Sequence, residues 1–161
     1  LPGRHAQLVR KITVAHSASH YDAAAQAGWR TRIETVRQGG MAAVADGALQ
    51  RWLSDPYRAA HPVRVAQLRS SLLQTDAGAY AHACEAVAGI ALQDGNVRIR
   101  CPALVLAGAL DQATPLACSE AIAAQIPGAR LEVLPVAHIG CVEQPEGFSR
   151  AVHDFIAQRR H

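Results

Sequence analysis

The chain has 161 residues, of which half are hydrophobic, 18% charged and only 4% aromatic, with a formal net charge of +3. That length and composition suit one globular domain with a real core and exclude a disordered polymer. Scattered basic residues and few aromatics leave no stacking platform for nucleic acid, and no run approaches the ~20 apolar residues of a membrane span. Cys84, Cys101, Cys118 and Cys141 form no C-x-x-C pair. They read as small buried hydrophobes in a reducing cytoplasm, with no zinc site or disulfide framework. His138 and Cys141 stand at H-x-x-C spacing, but without a second pair they do not argue for a metal.

The start, Leu1-Pro2-Gly3-Arg4-His5, shows neither an initiator Met nor a signal-peptide core. A chain beginning this way is expected to be a fragment, a processed product or a trimmed form. Residues 1–19 read as a helix tail, a Gly/Arg turn and a strand over Leu8–Ala15, β-branched near its end. From about 20 to 96 the texture becomes helical. Trp29, Ile33 and Val36 form one face, and Gly39-Gly40 breaks that helix. Val44, Ala48, Leu49 and Trp52 form a second face, stopped by Asp55-Pro56; Val65, Leu68 and Leu72 form a third after His61-Pro62. Thr75-Asp76 caps a fourth helix carrying Tyr80, Cys84 and Val87, so four amphipathic helices are predicted. Trp29 and Trp52 belong to this block; core packing is one reading of them and substrate contact the other.

From Ile99 an alternating texture begins. A strand is predicted over Ala103–Ala107, then a helix capped by Thr114 with Pro115 at its first position, running through Ala124. Arg130–Leu134 is the next strand. Pro145 opens a last helix, favoured at its positive end by Glu143 and Glu146, with Phe148, Ala151, Val152, Phe155 and Ile156 on one face and Arg159-Arg160 at its end. Strand, helix, strand, loop, helix is the end of a doubly wound parallel sheet.

Asp111 follows the first of these strands and His138 the second, 27 residues apart. Ligands of open parallel sheets bind at the carboxyl edge. An acid and a base delivered there are two members of a Ser-His-Asp triad: Asp111 to fix the tautomer, His138 to move the proton. Read singly, each residue has a plainer alternative: a turn-former before a helix for Asp111, a hydrogen-bonded loop residue for His138. The third member needs a tight elbow such as G-x-S-x-G. None of Ser17, Ser19, Ser54, Ser70, Ser71, Ser119 and Ser149 has glycines at both flanking positions. Ser17 and Ser19 follow a strand but make poor candidates, and no H-G oxyanion loop is visible either. His5, His16, His20, His61, His82, His153 and His161 are expected to have only surface or structural roles.

Arg100–Ile156 resembles the carboxyl-terminal part of the α/β-hydrolase superfamily. The resemblance is carried by Cys101-Pro-Ala-Leu-Val-Leu-Ala-Gly-Ala-Leu-Asp-Gln-Ala-Thr-Pro115, Ile126-Pro-Gly-Ala129 and Ala137-His-Ile-Gly-Cys-Val-Glu-Gln-Pro-Glu146. Gly28–Met41, Gln50-Arg-Trp-Leu53 and Leu72–Ala81 are similar to the helical lid of 3-oxoadipate enol-lactonases. The resemblance implies an α/β fold: the C-terminal part of an α/β-hydrolase, parallel strands with flanking helices, with a helical lid inserted. It implies core residues 1–19, a lid over 20–96 and a carboxyl-terminal core over 97–161. It also implies catalytic roles for Asp111 and His138 and no metal or organic cofactor; Trp29 and Trp52 stay, on their own residues, the candidates for substrate contact.

The implied activity is hydrolysis of an ester or lactone, most closely an enol-lactone from aromatic-compound breakdown. The expected partners are that small molecule and an upstream segment bearing the oxyanion loop and the nucleophilic serine. By itself the chain is expected to be inactive, and a sheet of about three strands would leave an open edge. A general carboxylesterase and a non-catalytic binding remnant are the rival readings.

Overall fold

A computed structural model describes residues 6–158, so the expectations placed on His5, Arg159, Arg160 and His161 lie outside the described residues. The chain divides into two compact units, one made of the chain up to Ser19 and from Leu92 onward, the other of His20–Ala91.

Strand β1 is Ile12–Ala15, shorter than the Leu8–Ala15 read from the sequence. The chain before it forms a 3₁₀ turn over Ala6–Leu8, and Leu8 is exposed. Apolar character alone did not make Leu8 a strand residue, because the ladder partners in this sheet begin only at Ile12, opposite Ala103.

The His20–Ala91 unit is helical. Helix α1 spans Ala23–Gly39; the Asp22 carboxylate caps it by accepting the Ala25 N–H at 2.8 Å. It ends where Gly40 takes φ 66°, a left-handed conformation open to glycine at little cost. After a 3₁₀ turn over Met41–Ala43 come α2 (Ala45–Trp52), α3 (Asp55–Ala60), α4 (Pro62–Leu73) and α5 (Ala77–Ala88). There are therefore five helices here, where four were predicted. Asp55-Pro56, read as a stop, is instead the first turn of α3: Ser54 caps it, accepting the Tyr57 N–H, and proline is tolerated where the N–H has no intrahelical acceptor. Asp76 caps α5 as predicted, accepting the Ala79 N–H at 2.7 Å. The core of this unit gathers Ile33, Val36, Met41, Val44, Ala81 and Cys84, with Trp29, Leu72 and Tyr80 packed on it. An antiparallel bridge between His20 and Ala91 closes the unit, and residues 92–96 fold with the sheet instead.

In the other unit, α6 (Gln93–Asn96) is tied to the following helix by Asn96 Nδ2, which donates to Gln125 Oε1 at 2.8 Å. Strand β2 (Ala103–Gly108) is buried along its whole length. Helix α7 (Leu116–Gln125), strand β3 (Arg130–Leu134), a short α8 (Gly140–Glu143) and α9 (Pro145–Ala157) complete it. The strands pair in parallel in the order β1-β2-β3. A parallel central strand covered on both faces has no solvent side, which explains a run of apolar residues without alternation. Ala103 and Val105 face Ile99, Ile122 and Ile126; Leu104 and Leu106 face Ala151 and Phe155 of α9. The α9 face is narrower than predicted, with Ile156 60% exposed. Lys11 Nζ caps the end of α9, donating to the carbonyls of Phe155 at 2.6 Å, Ile156 at 2.8 Å and Gln158. No helix among the described residues is long and apolar enough to cross a membrane.

Candidate active site

The turn after β2 is laced to the loop after β3. Ala109 N–H donates to Leu134 O at 2.9 Å and Leu110 N–H to Val136 O at 3.0 Å. This requires glycine at 108: a Cβ there would stand 2.5 Å from Val136 O and 2.7 Å from Ala137 O, both backbone atoms. The two loops are thereby locked side by side, and each delivers one polar residue.

Asp111 is 6% exposed and fully engaged. One carboxylate oxygen, Oδ1, accepts the N–H groups of Ala113 and Thr114, each at 2.8 Å. The other, Oδ2, accepts the Thr114 hydroxyl at 2.8 Å and lies 3.0 Å from His138 Nδ1. Burial would push this carboxyl up, but His138, the nearby His16 imidazole and the Thr114 N–H outweigh it and hold Asp111 well below the usual carboxylate range. An ionised acceptor facing Nδ1 makes Nδ1 the protonated nitrogen of His138 and leaves Nε2 with the lone pair.

Thr114 was predicted as the cap of α7. The helix begins at Leu116 and Thr114 makes no capping bond; its hydroxyl turns to Asp111 and lies 3.3 Å from His138 Nδ1. Glu143 was assigned to the start of the last helix, yet its Oε2 accepts the Ala137 N–H at 3.1 Å and so steadies the loop carrying His138. The sequence carried no signal for either contact, because both depend on which loops lie side by side.

His16 was assigned only a surface or structural role, yet it sits at the carboxyl end of β1 with its side chain 6% exposed, its Nδ1 3.5 Å from Asp111 Oδ2. The imidazoles of His16 and His138 meet edge to face, centroids 6.2 Å apart. One signal was available: His16 follows a parallel strand, the same rule that singled out Asp111 and His138.

Ser17 and Ser19 follow at once, and neither hydroxyl is directed to His138. Ser17 Oγ donates to Ala18 O at 3.4 Å, and Ser19, buried, donates to Gln125 Oε1 at 3.3 Å. Cys141 is a free exposed thiol, and no group of three or more potential metal ligands occurs among the described residues. In the helical unit, Trp29 is partly buried on the core, meets Tyr21 edge to face at 5.7 Å, and carries the Arg32 guanidinium 4.4 Å above its ring. Trp52 is the half-buried last residue of α2.

No family model matches the chain. It is 37% identical over 142 residues to 3-oxoadipate enol-lactonase 2 of Acinetobacter baylyi, covering 88% of this chain and 52% of that protein. It is 31% identical over 145 residues to 3-oxoadipate enol-lactonase 1 of the same organism, covering 90% and 54%. The chain thus spans about half the length of the curated relatives it matches. Among solved structures, the enol-lactonase from Burkholderia xenovorans LB400 superposes with a TM-score of 0.92 at 32% identity, covering 98% of this chain and 60% of that one. A parallel sheet with flanking helices, an inserted helical segment and these likenesses agree: the chain has an α/β-hydrolase fold and, over its length, resembles the 3-oxoadipate enol-lactonases.

Proposed function

We propose that this chain supplies the acid–base pair and the helical lid of a hydrolase acting on a carboxylic ester or lactone, most closely an enol-lactone. The observation that carries the reading is the 3.0 Å contact between Asp111 Oδ2 and His138 Nδ1, with both residues on loops at the carboxyl ends of neighbouring parallel strands.

In this reading Asp111 stays ionised, holds the His138 ring and stabilises the imidazolium that forms during reaction. His138 Nε2 takes the proton of an attacking hydroxyl as the nucleophile adds to the lactone carbonyl. The same proton passes to the departing enol oxygen when the ring C–O bond breaks, leaving an acyl-enzyme that water hydrolyses in a second, matching cycle. The nucleophile is a serine contributed by a segment other than these 161 residues, since the sequence has no elbow motif. The oxyanion donors come from the same source.

The helical unit supports a substrate bearing a carboxylate. Arg37, Arg58 and Arg69 each pair with an acidic side chain, whereas Arg32, stacked on Trp29, has no acidic partner among the described residues. A guanidinium over an aromatic ring is a recognised way to receive a carboxylate. Within this reading Trp29 and Trp52 contribute substrate contacts.

The test is hydrolysis of a panel of enol-lactones, other lactones and simple chromogenic esters. The purified chain is expected to give no turnover. The chain fused behind the elbow-bearing amino-terminal part of the Acinetobacter enol-lactonase is expected to hydrolyse the enol-lactone, and to lose this in His138→Ala and Asp111→Asn. Robust turnover by the isolated chain that survives Ser17→Ala and Ser19→Ala would overturn the external nucleophile. A preference for simple esters would make the protein a general carboxylesterase, and a folded but inert fusion would favour a non-catalytic role.

A further inference from the structure

The buried imidazole of His16 has no part in the acid–base steps proposed above. Three observations make it unusual. Its side chain is 6% exposed, yet neither Nδ1 nor Nε2 has a hydrogen-bond partner of good geometry among the described residues. Buried polar groups are ordinarily satisfied, and one left open points to a role that outweighs its cost. Its backbone takes φ 47°, and His16 is the non-glycine residue in the left-handed region among those described. Strained backbone of this kind gathers at functional sites, where it aims a side chain. Its main chain is nonetheless still tied to the sheet, donating from N–H to Leu106 O at 2.9 Å, so the strain is held and not relaxed.

The surroundings show where that strain aims the ring. One face stacks on Phe148, centroids 6.2 Å apart and planes 17° from parallel. Glycine at 140 makes room for the far side: a Cβ there would stand 2.6 Å from His16 Nε2. With that side closed by backbone and one face closed by Phe148, Nδ1 lies 3.5 Å from Oδ2 of the buried Asp111. That oxygen is the same one that bonds His138 Nδ1.

We propose that His16 is a positioning residue for the Asp111–His138 pair: its Nδ1–H is a third donor to Asp111 Oδ2, beside the Thr114 hydroxyl and His138 Nδ1, which fixes the carboxylate against rotation and so holds His138 in a single tautomer. Asp111 would then be held from three sides, by the Thr114 hydroxyl, by His138 and by His16. The edge-to-face contact of the two imidazoles adds a wall that keeps the His138 ring from tilting away from the acid. The consequence for catalysis rests on the proposed hydrolase function; the geometry and its test do not.

The experiment reads ring nitrogens in the 161-residue chain, labelled with ¹⁵N-histidine, by long-range ¹H–¹⁵N correlation near neutral pH. Two histidines, His16 and His138, are expected to carry their proton on Nδ1, with deshielded Nδ1–H signals that both disappear in Asp111→Asn. In His16→Phe, which keeps a ring on Phe148 but has no donor, His138 is expected to lose its single-tautomer pattern. In His16→Asn, whose amide nitrogen falls near the place of Nδ1, the pattern is expected to return. A wild-type His16 protonated on Nε2 would overturn the proposal without any variant, whatever the variants' folding. So would an unchanged His138 pattern in His16→Phe, or a loss in that variant which His16→Asn does not repair, since either means the ring only fills space. None of these readings depends on turnover, so an inactive fusion enzyme and a misassigned His16 give different results.

Discussion

Both units of this chain carry ion pairs at the surface, but among the described residues only the sheet unit also buries a charged side chain. In the sheet unit the acid Asp111 and the imidazole of His16 are taken out of water and His138 is only partly exposed, all around one carboxylate. In the helical unit Arg37–Glu85, Arg58–Asp55 and Arg69–Asp46 lie at the surface, and α3 and α4 contain no fully buried residue. The difference follows from architecture. A parallel strand buried along its length, as β2 is, gives a rigid, dry edge on which a charge can be held by backbone N–H groups. Short helices packed on a small apolar cluster offer no such edge, so their charges remain solvated and individually weak. In the proposed function, the proton-moving pair uses the first environment and the ligand-contacting surface the second.

This contrast can be broken from its strong end. Leu106 is fully buried in β2 against Ala151 and Phe155, and Leu106→Ala is expected to cost about 3 kcal/mol. Both tryptophans and all three tyrosines lie within His20–Ala91, so aromatic fluorescence reports on the helical unit while far-ultraviolet circular dichroism reports on both. Urea unfolding followed by both probes should show the sheet unit losing stability by dichroism; an equal shift in fluorescence would mean that the two units unfold as one.

Asp111→Ala comes next. It strands the N–H groups of Ala113 and Thr114 and the Thr114 hydroxyl, at an expected cost of about 2 kcal/mol by the same unfolding measurement. In the fusion enzyme Asp111→Asn is expected to lower kcat by about 10⁴, as loss of the tautomer-fixing acid does elsewhere. The acid also gives the sheet unit a pH dependence. Its folded carboxyl titrates below its unfolded value, so its contribution is complete above the ordinary carboxylate range of about pH 4 and fades as pH falls through that value toward the folded one. Urea midpoints of wild type and Asp111→Asn should therefore converge as pH is lowered from 7 to 3; a constant gap would contradict the buried ionised carboxylate.

In the helical unit the effects should be smaller. Asp76→Ala removes the cap of α5 and is expected to cost about 1 kcal/mol, read by fluorescence-detected unfolding. Arg37→Ala breaks an exposed ion pair and should leave the urea midpoint unchanged within error; a clear loss there would show that surface charge matters more in this unit than its exposure implies.

Much of this was legible in the residues. Asp111 and His138 each follow an apolar strand, and the strand–helix–strand spacing already placed them at one sheet edge. Caps at Asp22 and Asp76 and the break at Gly40 act within a few residues, so local pattern is sufficient for them. Asp55-Pro56 was misread because the same pair can end one helix or begin the next, and the Ser54 cap decides which. Leu8 looked like strand but had no ladder partner to pair with.

The sequence by itself determined most of the elements, much of their apolar faces, and Asp111 and His138 as the candidates for an acid–base site. Only the tertiary structure decided that Thr114 leaves its helix to bond Asp111, that Glu143 braces the loop of His138, and that His16, far away in the chain, turns a strained backbone toward the same carboxylate oxygen. The physical reason is that hydrophobic periodicity records which side of an element is dry. It does not record which strand is whose neighbour, and hydrogen bonds around a buried charge are set by that adjacency, here the order β1-β2-β3.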